Sequence, residues 1–337
     1  MAASLSPRDQ WLTWALRIVG VLVIGAFAFL AYTVFQGQRQ ADQSSIATRA
    51  VDSLEQAVRD DPESAETRIL LGDAYRDTGR PADAIEQYDK ALELSVDHPL
   101  ALTGLALTAM QQEEWRTAEG YWQNAIEVMS KNEYASQDER LEKAYYYYGT
   151  VLIKLAEYED AVAYLKEALR MNRSDADTHY ALAVAYRELD SVSKQRESLE
   201  TALLFVPTMP EANYDLGLLY LADGDEATAA ELFRRSADNA PGREEPIDEL
   251  MALGPFEDRM KKAESLADSD PGAALHQARI AAALDPTSID AARQVARLLK
   301  TIGLSPDDEK AAWERVLDLV PEDQEAVEAL AALGSDS

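Results

Sequence analysis

Cysteine is absent from the 337 residues. Its absence excludes disulfides, thiolate metal sites and cysteine nucleophiles. Histidine occurs three times, as His98, His179 and His276, far apart and without ligand spacing. His179 falls in a column of helix–helix contacts, where a packed imidazole is expected. Basic residues are scarce: 32 Lys and Arg stand against 61 Asp and Glu, a formal charge of −29. Residues 1–35 hold only Arg8, Asp9 and Arg17 among the charged types, so the acidity belongs to the remainder. Such a surface repels nucleic acid and anionic headgroups, which demand basic patches. It suits solubility or a basic partner. No nucleophile elbow, phosphate loop or dinucleotide fingerprint is present in the sequence. Asp223-Gly224-Asp225 matches part of a calcium loop, but the closing Glu is missing, so it reads as a turn. Carboxylate pairs are too frequent in so acidic a chain to mark glycoside chemistry. Neither an enzyme nor a cofactor, metal or small-molecule substrate is expected.

One stretch lacks charge altogether. Ile18 to Phe35 carries no charge, and Leu12 to Leu16 lengthens it to about a membrane span. Trp11 and Trp14 stand at one end and Tyr32 at the other, where amphipathic rings favour the headgroup level. A cleaved signal peptide would have a shorter apolar run and a small-x-small site, whereas QGQRQADQSS follows here. The reading is a transmembrane helix at 12–35 after a tail at 1–11, with a linker at 36–45. Arg8 and Arg17 favour the N-terminus in the cytoplasm. The expected location is the bacterial inner membrane, single-pass, with the remainder outside the cytoplasm.

The chain is organised by a unit of 34 residues, written five times between Leu71 and Pro241. A leucine-then-small pair opens the units at Leu71-Gly72, Leu105-Ala106, Leu182-Ala183 and Leu216-Gly217, with Tyr148-Gly149 as an aromatic variant. Later columns read Ala84, Ala118, Ala161, Gln195, Ala229; then Tyr88, Trp122, Leu165, Leu199, Phe233; then Ala91, Ala125, Ala168, Ala202, Ser236. Nine extra residues separate the second unit from the third. Small residues let helices approach, and the large residue fills the gap against the next unit.

These columns resemble the tetratricopeptide repeat family, whose unit is two antiparallel helices. The resemblance implies an all-α fold, a right-handed α-solenoid of helix pairs following the transmembrane helix. A capping helix is expected at 46–62, five units at 63–243 and a break at 244–255. Two divergent units at 256–321 and a C-terminal cap and tail at 322–337 complete the array. The insertion around Ser130 to Gln137 reads as a longer loop.

In the family, first helices line a concave groove that holds a partner segment. The groove columns here are Ile69, Thr103, Tyr146, Tyr180, Tyr214; Asp73, Leu107, Thr150, Val184, Leu218; and Arg76, Met110, Ile153, Arg187, Leu221. Tyr147 adjoins them. The expected binding residues are therefore Tyr146, Tyr147, Tyr180, Tyr214, Leu107, Met110, Thr150, Ile153, Val184, Arg187, Leu218 and Leu221. Tyrosine gives large contact area at low entropic cost. The same rings can also serve as packing between neighbouring first helices. Ile69, Asp73 and Leu107 stand where Lys and Asn hold C-terminal carboxylates in some members, so that activity is not expected. The expected function is a membrane-anchored scaffold capturing a protein segment during assembly or maturation of an envelope complex. By layout it is similar to c-type cytochrome biogenesis subunits and translocon-associated factors. The alternative is an oligomeric structural component.

Overall fold

The computed structural model describes residues 47–303 and 305–335. The tail, transmembrane segment and linker expected over 1–45 lie outside the described residues. Among the described residues no helix is long and apolar enough to cross a membrane, and no strand occurs. The described residues fall into two compact units, divided between Ala135 and Ser136. The boundary falls in the inserted loop, which carries a 3-10 turn at Ala135–Gln137.

The first unit holds α1 (47–60), α2 (Ala65–Asp77), α3 (Pro81–Leu94), α4 (Pro99–Gln111) and α5 (Trp115–Ser130). The second begins with α6 (Glu139–Lys154), α7 (Tyr158–Met171), α8 (Ala176–Glu188), α9 (Val192–Phe205), α10 (Pro210–Ala222) and α11 (Glu226–Asn239). It continues with α12 (Glu245–Ala252), α13 (Phe256–Leu266), α14 (Pro271–Leu284), α15 (Ile289–Ile302), α16 (Pro306–Leu319) and α17 (Gln324–Ser335). Starts are written in the sequence. Ser64, Asp175, Asp225, Asp270, Ser288 and Ser305 each accept an amide of the first turn. Pro81, Pro99, Pro210, Pro271 and Pro306 enter first turns, where a missing amide proton costs nothing.

Helices pair as α2–α3, α4–α5, α6–α7, α8–α9 and α10–α11. What closes each pair is a large buried ring or leucine seated on the small residue sixteen positions earlier. A methyl on Gly217 would fall 2.6 Å from Phe233, and one on Gly149 2.6 Å from Leu165. Tyr88 is gripped from two sides, since methyls on Gly72 and Gly104 would come within 2.6 and 2.4 Å of its ring. Tyr88, Leu165, Leu199 and Phe233 are fully buried, and Trp122 nearly so. Tyr88 also carries a hydroxyl into the core. It donates to Asp73 at 2.7 Å, and Arg76 donates both to that hydroxyl and to Asp73.

Each pair turns through one residue with a left-handed backbone: Gly79, Glu113, Ala156, Asp190 and Gly224, with φ of 74°, 59°, 62°, 51° and 84°. Two amide bonds fix it. In the third unit, Ala156 donates to Ile153 and Glu157 reaches back to Leu152 at 2.9 Å, and the same pattern recurs in all five. This is the Schellman closure of a helix C-terminus. Only two of the five residues are glycine, so the hydrogen bonds override the side-chain penalty of about 1–2 kcal/mol.

The stretch expected as a break holds a short helix instead. Leu250 of α12 and Leu253, the residue that follows it, are buried in a cluster with Ala230, Phe233 and Ile280. Its prolines are compatible with that. Pro246 sits in the first turn and Pro255 precedes α13, both positions that need no amide donor. Beyond it the stacking changes. α11 packs directly on α14, although α14 is itself the second helix of the α13–α14 pair.

Candidate partner-binding face

Tyr146, Tyr180 and Tyr214 project from the first helices α6, α8 and α10 of the second unit. All three are half-buried. The Tyr146 ring packs beside Leu165, Ala181 and Leu182, and lies 5.1 Å from the Tyr147 ring. Desolvation and the nearby Asp177 carboxylate push its hydroxyl up to about 12. Tyr180 packs beside Ala183 and Leu216 and donates to the Asp215 carboxylate of α10 at 3.2 Å. Arg187 donates to the same carboxylate at 3.4 Å and to Glu188 at 3.1 Å. Tyr214 leans on Phe233, with centroids 5.8 Å apart, and the Arg243 guanidinium covers it at 5.2 Å.

The tyrosines therefore pack and show a face at once. Thr150, Ile153, Val184, Leu218 and Leu221 of the same three helices are also half-buried, and Arg187 is exposed. Thr150 spends its hydroxyl on the Tyr147 carbonyl at 2.7 Å, which leaves its methyl as the contact group. Leu107 and Met110 belong to α4 of the first unit. With Arg76, Asp77, Gln111 and Trp115 they border a separate open depression of about 400 Å³. Met110 is held there by a 3.2 Å bond from the Trp122 indole to its sulfur.

Sequence reasoning missed Asp215 and Arg243. Asp215 fixes both Tyr180 and Arg187, and it is the only acid in its repeat column, a signal that was readable. Arg243 is the final residue of the fifth unit, past the end of α11, and belongs to none of the groove columns. His179 stacks on Phe205 at 5.9 Å and lies 3.0 Å from the Arg173 carbonyl, a packed imidazole. Gly224 is a helix-pair turn, and Asp225 caps α11. Among the described residues no group of His, Asp and Glu is arranged to hold a metal.

The electrostatics give a pH dependence. Desolvation raises Asp215, against Arg187 and Tyr180, and raises the buried Glu142. Hydrogen bonds from Arg140 lower Asp138, and those from Thr287 lower Asp285. Groups raised in the fold bind protons before the unfolded chain does. Stability thus grows as pH falls through their folded values. Groups lowered in the fold act the other way, and their contribution is lost as pH falls through the folded values. Acidification also relieves the repulsion of a −29 chain. The melting temperature is expected to rise from neutral pH to about pH 5 and fall below about pH 4, by circular dichroism. A maximum at or above neutrality would contradict the desolvation of Asp215 and Glu142 in the fold.

Such helix pairs, with a half-open aromatic face, define a helical-repeat interaction scaffold. Two profiles of one family, each described as tetratricopeptide repeat, match the chain: one at 36–101, 149–210 and 196–244, the other at 97–174. Together they run unbroken from 36 to 244, and the chain belongs to the tetratricopeptide repeat family. A curated relative, the E3 ubiquitin-protein ligase CHIP of Arabidopsis thaliana, is 27% identical over 120 residues. That match spans 36% of this chain and 40% of the ligase, so less than half of that protein is represented. Among solved structures, YrrB, "a TPR protein with an unusual peptide-binding site", is 21% identical with a TM-score of 0.48. The match covers 59% of this chain and 98% of that one. MamA of Desulfovibrio magneticus RS-1 is 19% identical (TM-score 0.47, covering 53% and 97%). Yeast Tom70 is 18% identical (TM-score 0.44, covering 87% and 59%).

Proposed function

We propose that the face formed by α6, α8 and α10 holds an extended or helical segment of a partner protein. The chain would do so from the bacterial cell membrane, tethered through residues 12–35, with its repeats outside the cytoplasm. The task is assembly or maturation of an envelope complex, of which c-type cytochrome maturation is an example. The observation that carries the reading is the row of three half-exposed tyrosines on successive first helices, framed by aliphatic side chains. Rigid rings of this kind supply contact area, and the half-open Arg187–Asp215 pair beside Tyr180 supplies polar discrimination. The tether rests on the uncharged run 18–35 and the rings that flank it.

The test is a photoreactive residue placed at Tyr180 in the full chain in intact cells. It should trap one discrete partner, with the crosslinked peptide identified by mass spectrometry. The control is the same probe at Val192, which is 52% exposed on α9. Equal products from both positions, or none from Tyr180, would remove the face as a binding site.

A further inference from the structure

A second concavity lies away from the tyrosines. Because α11 packs directly on α14, their second-helix surfaces, the first half of α15 and the middle of α16 border an open cavity of about 600 Å³. Four guanidiniums line it, Arg234, Arg235, Arg279 and Arg315, in a chain with nearly twice as many acids as bases. Arg234 is fixed by the last carbonyls of α14, donating to Ala283 at 2.6 Å and Leu284 at 3.2 Å. Arg315 donates to the Pro286 carbonyl at 2.8 Å. Three carboxylates share the lining and are already engaged. Glu231 faces Arg279 at 3.4 Å, Asp238 faces Arg234 at 3.6 Å, and Asp285 accepts from Thr287. Among the described residues Arg235 and Arg315 have no ion-pair partner, and both are exposed. The rest of the wall is small and apolar, with Ala282, Val295, Ala311 and Ala312.

We propose that this cavity is a second protein-binding site, which takes an acidic peptide segment whose carboxylates meet Arg235 and Arg315 while an apolar side chain enters between α14 and α16. Charge complementarity points to such a partner. These two guanidiniums, each outside any close ion pair, offer donors suited to carboxylates, whereas the chain's net acidity turns acidic segments away elsewhere. The size argues for side chains rather than a lone inorganic anion, because pockets of several hundred Å³ with apolar walls and few polar groups hold larger ligands. The site is independent of the tyrosine face, so either can fail without the other.

The probe is a fluorescein-labelled helical peptide of Glu, Ala and Leu, with a twin carrying Lys for each Glu. Anisotropy is read with the full-length chain in detergent micelles. The Glu peptide should bind and the Lys twin should not. R235Q/R315Q should weaken binding about tenfold or more. A311W, which blocks the mouth and keeps every charge, should weaken it comparably. Both variants alter exposed positions, and an unchanged circular dichroism melt verifies folding. Equal binding of the Lys twin, or full affinity in both variants, overturns the proposal. So does complete displacement by sodium sulfate where sodium chloride of equal ionic strength has no effect, which would mark an adventitious ion site only.

Discussion

Replacing Tyr146, Tyr180 and Tyr214 together with alanine is expected to cut partner capture by more than about tenfold. Buried aromatic anchors at interfaces are each worth about 2 kcal/mol or more. The readout is the yield of crosslinked product from a photoreactive residue at Leu218, which lies in the adjacent column of the same face. Unlike solvent-facing rings, these also pack. Tyr146 covers Ala181 and Leu182, and Tyr214 covers Phe233. The triple variant should therefore also melt earlier, by roughly 1 kcal/mol of lost apolar burial per ring. V184E separates the two effects. It adds a charge to the face, removes no ring, and should lower capture while leaving the melt nearly unchanged. Capture that survives both variants would leave the rings as packing alone.

The largest stability effect is expected at Phe233. This ring is fully buried on Gly217, so truncation to alanine should cost about 3–5 kcal/mol. Gly217→Ala should cost about 1–3 kcal/mol by the opposite route, because its new methyl falls 2.6 Å from the ring. The two changes relieve one another. With the ring gone the methyl fits, so the double variant should lie near Phe233→Ala rather than at the sum. Urea titration gives the free energies, and hydrogen exchange across α10 and α11 localises them. A neutral Gly217→Ala would mean that the ring has room the structure denies it.

The helix pairs were legible because their determinants are side-chain volumes at fixed spacing. Gly72, Gly149 and Gly217 are small where Tyr88, Leu165 and Phe233 are large, and both columns repeat in register. The turns were only partly legible. Gly79 and Gly224 announce a positive φ, but Glu113, Ala156 and Asp190 adopt it under backbone hydrogen bonds that no side chain advertises. Helix α12 was hidden by its own prolines, which read as breakers yet sit where helices tolerate them. The face itself could be read as columns of tyrosine. Asp215 stood out as the lone acid of its column, but its bonds to Tyr180 and Arg187 could not be read, because those partners lie 35 and 28 residues away. The arginine cavity arises from α11 meeting α14, a departure from the repeat that a repeating pattern cannot foretell.

The five left-handed corners also decide where the chain can lengthen. Each corner is clasped by two main-chain bonds that count residues, so one added amino acid there would unfasten the hairpin whatever its type. The nine surplus residues lie instead between α5 and α6, beyond any such clasp. The stretch 131–138 is thus the natural graft point for a tag or reporter, since sequence spliced there disturbs no hairpin's bookkeeping.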